Sequence, residues 1–126
     1  MLEKDIEGYL RRQVKNRLGG WALKFVSPGL SGVPDRVVLL PGGRVVFVET
    51  KAPGKKLRKL QSLVCARIEA LGFDVRCIDT REKVEGFIQE MMEKQVENHQ
   101  VSFEMGAVKG FSREVFDDGQ TSRGRA

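Results

Sequence analysis

Apolar residues recur every four positions from Ile6 through Leu10 and Val14 to Leu18, with Lys and Arg set between them. That row is one stripe of an α-helix, so an amphipathic helix is predicted over residues 3–18, ended by Gly19-Gly20. Trp21 to Val26 then reads as a short strand, and Ser27 to Gly32, rich in turn formers, as a loop. Two Val-rich runs follow, Arg36–Leu40 and Arg44–Lys51, joined by Pro41-Gly42-Gly43. Their composition and spacing predict a β-hairpin. Ala52 to Lys56 breaks the strand. Leu57, Leu60, Leu63, Val64, Ile68 and Leu71 show helical spacing over 57–71, and Gly72 stops that helix. Phe73–Ile78 alternates as a strand, and Val84, Phe87, Ile88 and Met91 mark a third helix from Thr80, its N-cap, to Lys94. The predicted order is α-β-β-β-α-β-α. The helix between the third and fourth strands makes a crossover to a parallel neighbour, giving an α/β (α+β) fold with a mixed sheet.

Beyond Lys94 the periodicity fades. One domain over residues 1–94 is therefore expected, with residues 95–126 a C-terminal extension, partly disordered or serving as a dimer arm. No apolar run approaches the ~18 residues of a membrane span, and the acidic, helix-like start Met1–Asp5 is not a signal peptide. An intracellular, cytoplasmic protein is expected, with Cys65 and Cys77 as reduced, half-buried thiols.

Charge changes the picture through its distribution. Residues 1–60 hold 13 Lys/Arg against 5 Asp/Glu, a net +8, whereas residues 61–126 carry 9 against 12, a net −3. A basic half points to an anionic partner. The lone His99 leaves too few imidazoles for a His-rich metal centre and none placed for Ser-His-Asp hydrolysis. Gly-rich nucleotide-binding motifs are absent, so no nucleotide cofactor is expected.

The hairpin carries the candidate chemistry. Strand alternation puts Glu49 and Lys51 on one face with Thr50 on the other, and the turn folds Asp35 back beside them. Two hard carboxylates together suit Mg²⁺ or Mn²⁺. Two ionised carboxylates also repel, so one pKa should rise and metal affinity should fall at low pH.

Gly32-Val33-Pro34-Asp35-Arg36, Phe47-Val48-Glu49-Thr50-Lys51-Ala52-Pro53-Gly54 and Leu57-Arg58-Lys59-Leu60-Gln61, in this order after an acid-bearing helix, resemble the VRR-NUC (virus-type replication-repair nuclease) family of the PD-(D/E)XK superfamily. The resemblance covers roughly residues 3–92. It implies a restriction-endonuclease-like core, a phage-encoded origin and a Mg²⁺/Mn²⁺-dependent endodeoxyribonuclease. It implies Asp35, Glu49 and the Thr50 carbonyl as metal ligands, with Glu7 in support. Lys51 would stabilise charge in the transition state, and Gln61 would orient Lys51 or the water. Beside such a centre, Lys24, Arg36, Lys55, Lys56, Arg58 and Lys59 become candidate DNA contacts, and Arg11, Arg12, Lys15 and Arg17 weaker ones. Branched or flapped DNA, Holliday junctions included, is the expected substrate, cut by a homodimer. A restriction-type or non-specific nuclease, an inactive DNA-binding module and a scaffolding protein remain as rival readings.

Overall fold

The computed structural model describes residues 1–105, with side chains through residue 97; the expected role of the remaining extension lies outside the described residues. Seven elements follow in the predicted order: α1 (Glu3–Leu18), β1 (Trp21–Lys24), β2 (Arg36–Leu40), β3 (Arg44–Thr50), α2 (Lys59–Ala70), β4 (Asp74–Ile78) and α3 (Arg81–Met105). The strands form one sheet in sequential order, antiparallel from β1 to β3 and parallel between β3 and β4.

Local chemistry sets the ends of these elements. Gly19 takes a left-handed conformation after α1, and the Gly20 N–H returns to the Val14 carbonyl, as in a helix stopped by a Schellman turn. A side chain at Gly20 would place its Cβ 2.6 Å from the Leu39 carbonyl oxygen, so the chain needs glycine to enter β1 this close to β2. The Thr80 hydroxyl accepts the Lys83 N–H and caps α3 as predicted. That helix does not stop at Lys94. It continues to Met105, and the Gln95 amide donates to the Leu18 carbonyl at the end of α1.

The two faces of the sheet differ. Ile6, Leu10, Val14 and Leu18 of α1 and Val84, Phe87, Ile88 and Met91 of α3 bury the face formed by Ala22, Val38, Leu40, Val46, Val48 and Ile78. Arg17 and Tyr9 of α1 both bond Glu85 of α3, and the Arg81 guanidinium lies 4.4 Å from the centre of the Tyr9 ring. Arg17 is thus committed to helix packing. On the opposite face, α2 buries Gln61, Val64 and Cys65, while Leu60, Leu63 and Leu71 stay exposed. Of the predicted apolar positions Val64 is buried and Leu57 and Ile68 are half-buried, whereas Leu60, Leu63 and Leu71 face outward. Cys65 is buried, Cys77 is exposed, and both are free thiols. Phe47 packs on this face against Phe25 and Phe73, with ring centres 5.7 and 5.8 Å apart. No helix among the described residues is long and apolar enough to cross a membrane.

Candidate active site at the open end of the hairpin

Asp35 lies one residue before β2, where the chain leaves the loop and enters the ladder. In register, Arg36 faces Val48, so Asp35 sits opposite Glu49 at the end of the sheet. The Asp35 N–H donates to Glu49 Oε1 at 3.1 Å. Asp35 in turn accepts the Thr50 N–H at Oδ1 (2.8 Å) and the Thr50 hydroxyl at Oδ2 (2.7 Å). The predicted juxtaposition of Asp35 and Glu49 is present. The hydroxyl contact was not predicted: alternation assigns Thr50 to the buried face, and nothing in the sequence tells an apolar contact there from a polar one.

Glu49 is nearly buried and held from two further sides. Lys51 Nζ lies 3.2 Å from Glu49 Oε2, and Gln61 Nε2 donates to the same oxygen at 3.1 Å. The Gln61 Oε1 accepts the Arg58 N–H at 2.9 Å, so one amide both closes the first turn of α2 and holds Glu49. Oε1 must be the acceptor toward Arg58 because a backbone N–H can only donate, which fixes the orientation of the amide. Arg58 stays extended for this purpose, which is why α2 starts at Lys59 and not at Leu57. Lys51 follows β3, and its N–H bonds the Ile78 carbonyl of β4. The following loop is tied back by a hydrogen bond from the Gly54 N–H to Asp79 Oδ2 at 3.2 Å.

Gly32 brings α2 to this end of the sheet. It has φ +92°, and an added Cβ would meet the Leu60 side chain at 3.1 Å and Val64 at 3.2 Å. Left-handed backbone and close approach both demand glycine there.

Glu7 lies on α1, near enough to Asp35 for its charge to raise that carboxyl. The Glu7 Oε2 accepts Arg36 Nε (2.8 Å) and Lys24 Nζ (3.2 Å), and Arg36 Nη2 lies 2.7 Å away as the nearer arm of the ion pair. Arg36 Nη1 also donates to the Ala22 carbonyl at 3.0 Å. Arg36 and Lys24 pair across β1 and β2 and share the α1 face of the sheet, whereas Glu49 and Lys51 occupy the α2 face. Glu7 and Arg36 are 29 positions apart, and no spacing rule foretells their pairing. Lys55, Lys56, Arg58 and Lys59 are exposed on the loop and helix start beside the site.

The electrostatics follow from this crowding. Burial pushes the Asp35 carboxyl up to about 6 against the two Thr50 hydrogen bonds, and the negative charges of Glu49 and Glu7 add to the rise. Burial also works on Glu7, but Arg36 and Lys24 outweigh it and hold that carboxyl below its usual range. Among the described residues, no three His, Cys, Asp or Glu side chains gather as a ligand cluster. What the site offers is two carboxylates and one backbone carbonyl. The Lys51 N–H points to β4, so the Thr50 carbonyl, opposed to it across a trans peptide, points toward the Asp35 side. Hard oxygens and a carboxyl destabilised in its charged form fit a divalent cation such as Mg²⁺ or Mn²⁺.

No protein-family model matches the chain. A curated relative, "Putative nuclease p44" of Acyrthosiphon pisum secondary endosymbiont phage 1, is 49% identical over 80 residues, which make up 64% of this chain and 85% of that protein. Among solved structures, a "VRR_NUC domain" matches with a TM-score of 0.65 at 30% identity, covering 69% of this chain and 94% of that one. With the same element order, the same mixed sheet and nearly full coverage of both relatives, the chain belongs to the VRR-NUC family of nucleases, hydrolases of nucleic acid on a PD-(D/E)XK core.

Proposed function

We propose that this nuclease is a Mg²⁺- or Mn²⁺-dependent DNA endonuclease that acts on branched or flapped DNA, Holliday junctions among them. The observation that carries the reading is the Asp35–Glu49 pair at an open sheet end, with the Lys51 ammonium 3.2 Å from one of its oxygens. Asp35, Glu49 and the Thr50 carbonyl would hold the cation. Once bound, the cation supplies Lewis acidity for phosphodiester hydrolysis. The Lys51 ammonium would face the scissile phosphate and stabilise the charge it gains in the transition state. Gln61, which donates to Glu49 Oε2, would keep that carboxylate in place.

The exposed cations from Lys55 to Lys59 lie beside this centre and suit backbone phosphates. They form a short track, too limited to wrap a long duplex, which favours recognition of DNA shape over base sequence. A four-way junction offers two equivalent strands, and cutting both calls for two sites related by a two-fold axis. Exposed Trp21, Leu39 and Phe73 on the α2 face of the sheet, with the outward Leu60 and Leu63 of α2, supply apolar surface for a second copy.

The test is a panel of end-labelled flap, fork, four-way-junction and single-stranded DNAs, each incubated with Mg²⁺ or Mn²⁺. Preferential cleavage at branch points is expected. Equal cutting of junctions and supercoiled plasmid would replace this reading with a non-specific nuclease, and uncut DNA throughout would leave a binding module.

A further inference from the structure

Gly8 stands inside α1, where its backbone is helical. Glycine in a helix interior lowers stability relative to alanine, so its presence calls for a cause. Packing supplies none. A Cβ at Gly8 would meet one group within 4 Å, Arg12 Nη1 at 3.2 Å, which is the far end of a flexible side chain. Gly20 and Gly32 differ, because backbone and packed side chains stand 2.6–3.2 Å from their Cβ positions.

What the bare backbone at Gly8 offers is room between cations. Side chains on a helix lean toward its N-terminus, so Arg11 and Arg12, three and four residues on, reach back over Gly8. The Arg12 contact shows that lean. Lys4, one turn earlier on the same arc, borders the gap on its other side. All three cations are exposed, and none forms an ion pair among the described residues. Arg17, Lys24, Arg36, Arg76, Lys83 and Lys94 each do. The acids of α1 do not fill the gap. Asp5 accepts the Leu2 N–H, Glu7 takes Arg36 and Lys24, and Glu3 lies about 140° around the helix from Gly8. Two guanidinia above a floor without a side chain fit a phosphodiester, which such a group grips through two parallel N–H bonds. This part of α1 also lies near the cleavage centre, since Glu7 pairs with Arg36, the residue after Asp35.

We propose that Gly8, Arg11 and Arg12 form a seat for a backbone phosphate of the bound DNA, and that glycine stands at position 8 for the room it leaves. The inference rests on the DNA-nuclease reading above. The test uses the full chain with Gly8→Ala, Gly8→Leu, Arg11→Gln, Arg12→Gln and, as a control on α2, the exposed Arg67→Gln. Affinity is read by fluorescence anisotropy in Ca²⁺ over a range of salt, on whichever panel DNA the wild type binds most tightly, with a thermal melt of each variant.

Gly8→Ala should raise the melting temperature by about 2–6 °C, as alanine favours the helix, yet weaken DNA binding about threefold. Gly8→Leu fills the space without changing charge and should weaken binding about tenfold. Arg11→Gln and Arg12→Gln should each flatten the slope of log K against log salt by up to about one, and Arg67→Gln should leave affinity within about twofold. Wild-type affinity in Gly8→Leu, an unchanged slope in both α1 arginine variants, or an equal loss in Arg67→Gln would overturn the proposal. A lowered melting temperature in Gly8→Ala would overturn it too, by showing that the helix itself needs the glycine. Should Gly8→Leu fail to fold, Gly8→Ala and the arginine variants decide on the same criteria. A wild type that binds none of the DNAs sinks the nuclease reading and this inference together, whereas a wild type that binds and cuts, with Gly8→Leu its equal, sinks the inference alone.

Discussion

At the scale of single residues, the site combines two carboxylates that the fold forces together with one lysine placed to answer either of two charges. Asp35→Ala or Glu49→Ala should reduce cleavage by at least about a thousandfold, because each removes half of the anionic ligand set. Lys51→Ala should lower kcat about 10²–10³-fold, while DNA affinity measured in Ca²⁺ moves by less than about threefold. A variant at position 51 that cuts at the native rate would show that the ammonium serves only Glu49. Acidity offers an independent reading. The folded Asp35 carboxyl, raised to about 6, must lose its proton to bind a cation, so Mn²⁺ affinity should fall about tenfold per pH unit below that value. The raised value also means that the metal-free fold favours the protonated acid. Asp35 therefore adds stability below its unfolded value and withdraws it as pH rises through 6. Glu90, held down at about 2 by Arg76, has the opposite sign: its contribution is present above the ordinary carboxylate range and is lost only as pH falls toward 2. The two effects occupy different windows. Thermal melts of metal-free protein between pH 7 and 5 should therefore show stability rising toward pH 5, and Asp35→Asn should flatten that rise.

At the scale of elements, the position of α2 decides whether Glu49 is held. Gly32→Ala forces a left-handed backbone on alanine and drives its Cβ to 3.1–3.2 Å from Leu60 and Val64. It should cost about 1–3 kcal/mol in denaturant unfolding and, by moving α2, loosen the link from Gln61 to Glu49. An unchanged unfolding midpoint together with unchanged activity would mean that the loop simply gives way. This is also where the sequence was legible and where it was not. Period-four spacing in α1, the Gly-rich turn between two Val runs, and Thr80 ahead of α3 each reflect an interaction within a few residues, and each matches the structure. The hairpin went further, because alternation plus a turn fixes which ends meet, and that alone was enough to bring Asp35 to Glu49. The buried stripe of α2 was misread because Leu57, Leu60, Leu63, Val64, Ile68 and Leu71 span an arc of about 140° at 3.6 residues per turn, while the buried residues Gln61, Val64 and Cys65 lie toward one edge of it, where a polar side chain breaks the apolar pattern. Contact with the loop at Gly32 and with Glu49 makes that choice, and both are tertiary. The continuation of α3 past Lys94 was hidden for a related reason: Gln95 and Glu97 are polar, Val96 between them is exposed, and the Gln95 bond to Leu18 depends on where α1 ends. The Glu7–Arg36 pair joins two elements and left no local trace.

At the scale of the whole molecule, charge governs the encounter with substrate and apolar surface governs assembly. The N-terminal half carries a net +8, and the four cations at 55, 56, 58 and 59 stand exposed beside the site. If each meets one phosphate, the four should contribute about −4 to the slope of log K for DNA against log salt, and charge-neutral substitution of any one should flatten it by about one. A salt-independent affinity would exclude backbone contact. Light scattering at micromolar concentration should give twice the 14.2 kDa chain mass, and Trp21→Lys, placed on a residue 45% exposed, should shift the protein toward monomer. Every side chain assigned to bond cleavage, from Asp35 through Glu49 and Lys51 to Gln61, comes from one unbroken stretch comprising the hairpin, one loop and the opening turn of a helix. A recombination event with breakpoints outside that stretch would carry the whole cutting apparatus into a new gene in one piece, leaving the flanking helices free to diverge.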